Sequence, residues 1–130
     1  MRILDLGDRA GALCGRLFSD LGAEVIKIEP PTGAASRTLA PFAKKLKCDD
    51  SSLQFAHFNA GKKSVVLDLF NYHDKQIFLE LVKSSDILID SLGQDDWHNI
   101  GLSYDSLEIT NPQLIITSIT DFGLTGPYSL

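Results

Sequence analysis

Residues 3–29 read ILDLGDRAGALCGRLFSDLGAEVIKIE. The segment opens with one apolar run and closes with another, Glu24 to Ile28, and between them leucines recur at helical spacing, at Leu13, Leu17 and Leu21. Gly22 stands where a glycine commonly ends a helix. Two such runs joined by one helix are typical of the start of a parallel sheet.

The same alternation of apolar runs and helical patterns continues along the chain. It predicts five strands, at Ile3 to Leu6, Glu24 to Ile28, Ser64 to Leu69, Ile87 to Asp90 and Leu114 to Ile119. The later runs alternate little between apolar and polar residues, which indicates burial on both faces. We therefore expect an α/β fold with a mainly parallel sheet.

Two further helices and one long loop complete this prediction. The segment Tyr72 to Ser84 carries one apolar stripe, as a covering helix should, made of Ile77, Phe78, Leu81 and Val82. A shorter helix is predicted from Tyr104 to Thr110, ending before Asn111-Pro112. From Pro30 to Ser52 no such pattern exists, and loops this long are usually functional, disordered or completed by a partner.

The composition places the chain among soluble globular domains. Its 130 residues are 44% hydrophobic, enough for a core without disulfides or a structural metal. Twelve Lys and Arg against 17 Asp and Glu give a net charge of −5, which argues against nucleic-acid or membrane-surface partners. Cys14 and Cys48 are too few for a disulfide framework or zinc site. We therefore expect a cytoplasmic protein without a membrane span.

Three glycines mark the first turn from strand to helix. Gly7, Gly11 and Gly15 lie there, and Glu29 ends the second strand. Dinucleotide-binding folds use glycines and an acid at about this distance, but the spacing departs from G-x-G-x-x-G, and Asp8 would face the phosphate. A dinucleotide site and a tight turn with close helix–sheet packing both remain open, with packing favoured.

Residues 59–64, NAGKKS, resemble the end of a P-loop. They precede a strand and lack the earlier glycine, which excludes ATP hydrolysis of that type. Lys62 and Lys63 would neutralise phosphates as point charges, or else form a solvated basic turn.

The remaining polar motifs do not predict a catalytic or metal centre. His57, His73 and His98 share no metal-ligand spacing, so no metal is expected. Neither Asp49-Asp50 nor Asp95-Asp96 indicates a proton-sharing pair, and no serine lies in a G-x-S-x-G elbow. The residues by themselves predict an α/β domain that binds a phosphorylated ligand.

An ordered series of motifs runs through nearly the whole chain. It consists of ILDL (3–6), GRLFSDLGAEVIKIEPP (15–31), NAGKKSVVLDL (59–69), SDILI (85–89), GLSY (101–104), NPQLI (111–115) and TSITDFGLTGPY (117–128). Together they resemble the N-terminal portion of family III CoA-transferases of the CaiB/BaiF type. The chain stops in a Gly/Pro turn at residues 122–130, and such a turn is expected to lead into another element.

The resemblance implies an open sheet of Rossmann type within a larger fold, whose two subunits interlock as a homodimer. The family's transferases move CoA between carboxylic acids through an aspartyl mixed anhydride, and its racemases invert 2-methylacyl-CoA with a His/Asp pair. In both, the catalytic residues follow residues 122–128. The resemblance therefore implies one CoA-binding portion over residues 1–130, inactive alone, with no catalytic residue and with Asp121 in no catalytic role.

The resemblance also implies where coenzyme A binds. Arg37 matches the phosphate-binding arginine, Leu67 the leucine beside the adenine, and Arg9-Ala10 the contact in the first turn. The other expected contacts come from Asn59, Lys62, Lys63, Ser91 and Leu92.

Three positions depart from the family pattern. Phe70 replaces a frequent lysine, Ser91-Leu92 replaces an Asn-Phe pair, and Asn99 replaces an arginine. We expect weaker CoA binding from these changes, because each charge-assisted contact contributes ~1.5–3 kcal/mol. A racemase-like portion, a dinucleotide-binding module and a non-catalytic interaction domain remain as alternatives.

Overall fold

Five parallel strands form one sheet. The computed structural model describes residues 1–43 and 51–127. The strands are β1 (Arg2–Asp5), β2 (Glu24–Glu29), β3 (Lys63–Val66), β4 (Ile87–Asp90) and β5 (Ile115–Ser118), in the order β3-β2-β1-β4-β5. Each neighbouring pair is parallel, which confirms the predicted α/β sheet and gives it the strand order of a Rossmann fold.

Helices cover both faces of the sheet. They are α1 (Ala12–Asp20), α2 (Leu53–Asn59), α3 (Tyr72–Lys83), α4 (Gln94–Ile100) and α5 (Tyr104–Thr110), with a short 3-10 helix at Ala35–Thr38. Adjacent strand residues point to opposite faces, so Ile3 packs beneath α1 while Leu4 packs with Phe78, Trp97 and Leu107 of α3, α4 and α5. In the described part of the chain no helix is long and apolar enough to cross a membrane.

The predicted strands are found with small shifts at their ends. The largest is at β3, which ends at Val66, so that Leu67 and Leu69 continue into the core beyond the ladder. The helices α2 and α4 and the 3-10 helix were not predicted, because their short sequences carry no apolar stripe. Lys44, Lys45, Lys47, Cys48, Asp49 and Asp50 lie outside the described residues, as does the end of the last turn, residues 128–130.

The leucines that predicted α1 do not form its buried face. Leu13, Leu17 and Leu21 are each half or more exposed, whereas Ala12 and Gly15 are buried against the sheet. A Cβ at Gly15 would lie 2.5 Å from Oδ2 of Asp5. The helix therefore packs on the sheet through small residues. The leucine spacing correctly predicts a helix but does not show which of its faces is buried.

A buried carboxylate joins β4 to α4 and α5. Asp90 is fully buried and accepts hydrogen bonds from Trp97 Nε1 at 2.8 Å, Tyr104 Oη at 2.5 Å and the backbone N–H of Leu92 at 2.7 Å. Burial, together with the hydrogen bond to Asp90, raises the pKa of Tyr104 from 10.0 to about 12.

The raised pKa predicts a loss of stability at high pH. The folded state retains the Tyr104 proton more strongly than the unfolded state does, so this contribution is full below pH 10.0 and is lost as the pH rises towards about 12. Tyr104→Phe should cost about 1–2 kcal/mol at neutral pH and should flatten the alkaline decline. Urea unfolding at a series of pH values from 8 to 11.5 measures both, and an unchanged decline in the variant would contradict the assignment to Tyr104.

Candidate functional site

The first turn after β1 lies at the carboxyl edge of the sheet, where the strand order reverses between β1 and β4. Open α/β sheets bind ligands at this position. Gly11 has φ +82°, and a Cβ there would lie 2.9 Å from Ile119 Cδ1. With Gly15 packed against Asp5, the glycines serve a tight turn and close packing, which confirms the favoured interpretation of their spacing.

Asp8 connects this turn to two other segments. Its carboxylate accepts the backbone N–H of Ser36 at 3.2 Å and also the Ser36 hydroxyl. The backbone N–H of Asp8 donates to Ser91 Oγ at 3.3 Å. The negative charge that argued against phosphate is thus held within the protein, and Ser91 supports the turn.

A cavity of about 660 Å³ opens beside the turn. It lies between the turn, the 3-10 helix, α2 and the segment after β5, and is lined by Asp8, Arg9, Ala10, Ala12, Ser36, Leu39, Gln54, Phe58, Asn59 and Asp121. The structure therefore brings together Arg9, Ala10 and Asn59 among the predicted residues. Gln54 and Phe58 were missed because no pattern in the sequence marked α2.

A smaller apolar cavity of about 170 Å³ lies at the same edge of the sheet. Its walls come from Leu6, Ile28, Glu29, Pro30, Leu67, Asp68, Leu69, Phe70, Leu92 and Ile100. Leu67 and Leu92, predicted from distant motifs, meet here. Phe70 lines the cavity and is 71% exposed.

Arg37 is held in a fixed position beside this cavity. Its guanidinium donates to both carboxylate oxygens of Glu29, at 2.7 and 2.8 Å, and lies 4.0 Å from the ring centre of Phe55. Arg37 and Glu29 both line a third cavity, of about 300 Å³. The Ser64 hydroxyl adds a hydrogen bond to Glu29 at 2.5 Å, and the Ala34 N–H one at 3.0 Å.

Glu29 is a buried counter-ion. Burial alone would raise the pKa of Glu29, but hydrogen bonds from Arg37, Ser64 and the Ala34 backbone outweigh it and lower the pKa to about 2. The residue is 1% exposed. Because its oxygens already accept these bonds, Glu29 does not offer a free carboxylate to ribose hydroxyls, as the dinucleotide interpretation requires.

The adjacent lysines lie in different environments. The Lys62 side chain is 2% exposed and donates to Asp5 Oδ2 at 2.6 Å, Asn59 Oδ1 at 2.8 Å and the Ala12 carbonyl at 2.9 Å. Burial lowers the pKa of Lys62, and the attraction of the Asp5 carboxylate opposes this lowering. The alternative of a solvated basic turn is therefore wrong for Lys62. Its ammonium lies beneath the large cavity and donates its hydrogen bonds to protein groups.

Lys63 starts β3 at the opposite, amino-terminal edge of the sheet. Its side chain is 70% exposed and pairs with Glu24 at 2.6 Å, away from the three cavities. The structure thus does not bring Lys63 to the other predicted residues.

The remaining polar residues named from the sequence are exposed or scattered. His57, His73, His98, Asp95, Asp96 and Asn99 are all exposed. Across residues 1–43 and 51–127, no three His, Cys, Asp or Glu side chains are grouped to hold a metal ion.

Comparison with known proteins gives a consistent result over the whole chain. The family model for CoA-transferase family III matches residues 1–130. The chain is 36% identical over 133 residues to a succinate–glutarate CoA-transferase of Agrobacterium fabrum, covering 99% of this chain and 33% of that protein. It is 41% identical over 112 residues to an acetyl-CoA:oxalate CoA-transferase of Acetobacter aceti, covering 85% and 28%.

A solved structure agrees with these relatives. The crystal structure of a CaiB/BaiF family protein from Brucella suis has a TM-score of 0.89 and 36% identity, over 99% of this chain and 34% of that one. The chain therefore spans about a third of the length of the proteins it resembles.

Proposed function

Because the chain belongs to CoA-transferase family III, we propose that it is the N-terminal CoA-binding portion of an acyl-CoA transferase. Transfer of CoA between carboxylic acids is favoured over racemisation by the relatives described above, which are named as CoA-transferases. The substrates of the whole protein would then be an acyl-CoA and a free carboxylic acid.

The observation that carries this proposal is the position of the residues expected to bind CoA. Leu67, Leu92, Arg37 and the Arg9-Ala10 turn come from four separate segments of the sequence, yet they lie along one carboxyl edge of the sheet. In this proposal the adenine end of CoA enters the apolar cavity and a phosphate meets Arg37. The pantetheine arm then runs past Arg9 and Ala10 into the large cavity.

Other predicted residues support this edge from beneath. Lys62 binds the side chain of Asn59 and the carbonyl of Ala12, and both acceptor residues line the large cavity. Ser91 accepts the backbone N–H of Asp8. We assign Lys62 and Ser91 to the support of the binding surface, and we assign Lys63 no contact with CoA.

Four carboxylates at or near the carboxyl edge are engaged by protein groups and are not available as nucleophiles. Asp5, Glu29 and Asp90 are buried and accept hydrogen bonds from protein groups, and Asp8 is held by Ser36. In line with the family resemblance, we propose that the aspartate of the anhydride mechanism lies outside these 130 residues. In that mechanism a carboxylate attacks the thioester carbonyl, the CoA thiolate leaves, and the anhydride carries the acyl group.

Arg37→Gln is expected to weaken CoA binding by tenfold or more, because one charge-assisted contact with phosphate contributes about 1.5–3 kcal/mol. The variant should also show a weaker dependence of affinity on salt concentration, because one ionic contact is lost. Isothermal titration of CoA into the 130-residue chain, well below the melting temperature of each variant, measures both.

Arg2→Gln is the matched control. Arg2 also pairs with a glutamate, Glu24, at 2.7 Å, but lies at the amino edge of the sheet. Unchanged CoA affinity in Arg37→Gln, or an equal loss in Arg2→Gln, would rule out a phosphate at Arg37. A wild-type chain that fails to bind millimolar CoA would overturn the proposed function itself.

The proposal also covers the location and the oligomeric state of the whole protein. We propose that the whole protein acts in the cytoplasm, as the composition predicts, and as a homodimer, as the family resemblance implies. Light scattering of the purified protein at several concentrations tests the second of these, and a monomer throughout would contradict it for this chain.

A further inference from the structure

Phe70 is an exposed aromatic side chain at an apolar cavity. The residue is 71% exposed, although it lines the cavity together with Leu67 and Leu92. An exposed ring beside an aliphatic cleft offers a flat surface to a ligand, because the ligand would cover apolar area on both sides.

The described walls of this cavity carry no cation that could bind a phosphate, and they carry a carboxylate that could accept a hydrogen bond. Among the described residues that line it, the charged ones are Glu29 and Asp68, and a third carboxylate, Asp74, accepts the backbone N–H of Asp68 at 2.9 Å. Glu29 is paired with Arg37, so Asp68 is the lining carboxylate left to disfavour an anion and to accept a donor. A carboxylate accepts hydrogen bonds and does not donate them when ionised, so the complementary ligand is uncharged and carries a donor.

The geometry points to Phe70 as the residue that recognises the base of the ligand: the purine ring stacks on Phe70 over Leu67 and Leu92, and its exocyclic amino group donates to Asp68. This inference rests on the proposed function, because adenine is the planar ring that coenzyme A would bring to this edge of the sheet. Affinity at this end then comes from stacking, with little contribution from charge.

The Asp68 carboxylate is suitably placed for this contact. Its Oδ1 atom accepts the backbone N–H of Phe70 at 3.0 Å, so the turn that presents the ring also fixes the acceptor. A carboxylate has about four acceptor positions, so one such bond leaves capacity for an amino group. Adenine, with an amino group, should therefore be preferred over hypoxanthine, which has a carbonyl oxygen at that position.

The test uses adenosine, inosine and CoA as separate probes in NMR titrations of the 130-residue chain, with labelled phenylalanine. The Phe70 ring signals are assigned by their absence in Phe70→Leu. Adenosine and CoA should both shift these signals. Phe70→Ala should lower the affinity for each ligand by about tenfold, because base–aromatic stacking contributes a free energy of that size. Phe70→Trp, which keeps an aromatic ring, should bind both ligands as wild type does. Inosine should bind more weakly than adenosine.

Tyr72→Ala is the matched control, since Tyr72 is 77% exposed but does not line the cavity. Adenosine that leaves the Phe70 signals unmoved, equal affinity in Phe70→Ala, or an equal loss in Tyr72→Ala would each overturn the role of Phe70. Equal binding of inosine would overturn the contact with Asp68.

These outcomes separate this inference from the proposed function. If CoA fails to bind while adenosine binds at Phe70, the proposed function is lost and the purine site stands. If CoA binds wild type and Phe70→Ala equally well, the CoA-binding function stands and the inference is wrong.

Discussion

Replacing Lys62 by methionine is expected to destabilise the protein by about 3–5 kcal/mol, because removing one partner of a buried ion pair leaves the other charge buried without compensation. Lys62 and Asp5 are 2% and 0% exposed, and their charged atoms are 2.6 Å apart. The second buried ammonium nearby, that of Lys27, donates to the Gly7 carbonyl at 2.6 Å. Urea unfolding followed by circular dichroism measures the loss.

The neighbouring lysine provides the control. Lys63→Met changes the same side chain one position along, but Lys63 is 70% exposed and its pair with Glu24 lies at the surface, where such pairs contribute about 0–1 kcal/mol. Adding Asp5→Asn to Lys62→Met should recover part of the stability, because the stranded charge is removed. Equal stability losses in the two lysine variants would show that the buried pair has no special role.

Acidification is expected to remove about 3–3.5 kcal/mol of stability through Glu29 alone, because one pKa unit corresponds to about 1.4 kcal/mol. The pKa of Glu29 falls from 4.5 to about 2 in the folded protein, so the unfolded chain binds the proton more tightly. The contribution is therefore full above pH 4.5 and is lost as the pH falls towards about 2. Glu29→Gln should be less stable than wild type at pH 7 and should show a flatter acid decline.

Glu24→Gln is the matched comparison for this experiment. Hydrogen bonds from Lys63 and Arg2 lower the pKa of Glu24 to about 2 as well, but its carboxylate lies at the surface, where salt screens the attraction. Acid titrations in 0.5 M salt should therefore suppress the contribution of Glu24 and preserve that of Glu29. If salt abolishes both, the Arg37–Glu29 pair is not the protected ion pair described above.

Strong local patterns made most of the fold predictable. Each β strand contains at least two adjacent apolar residues, and α3 combines an apolar stripe with the Asn71 cap, whose side chain accepts the N–H groups of His73 and Asp74. By contrast, α2 has seven residues and depends on Ser52, whose Oγ accepts the Phe55 N–H at 3.1 Å. Helices this short gain most of their stability from tertiary packing, so their own residues carry little signal.

The candidate site was predicted where a motif identified a position and missed where packing decided the outcome. Arg37, Leu67 and Leu92 were singled out from separate segments, and they lie at one edge because parallel strands end there together. The purine-stacking role of Phe70 was not predicted, because in the sequence Phe70 is simply a position at which the family's frequent lysine is missing. Its significance comes from the cavity beside it.

The sequence alone determined the parallel α/β architecture, the family and the edge of the sheet at which a ligand should bind, because these follow from hydrophobic periodicity and the order of motifs. The tertiary structure decided which charged side chains remain available to bind a ligand. Lys62 and Lys63 are identical neighbours in the sequence, yet one is buried on Asp5, 57 positions away, and the other faces solvent. Burial and pairing depend on contacts between distant residues, so composition, spacing and a net charge of −5 could not distinguish a phosphate-binding lysine from one that stabilises the core.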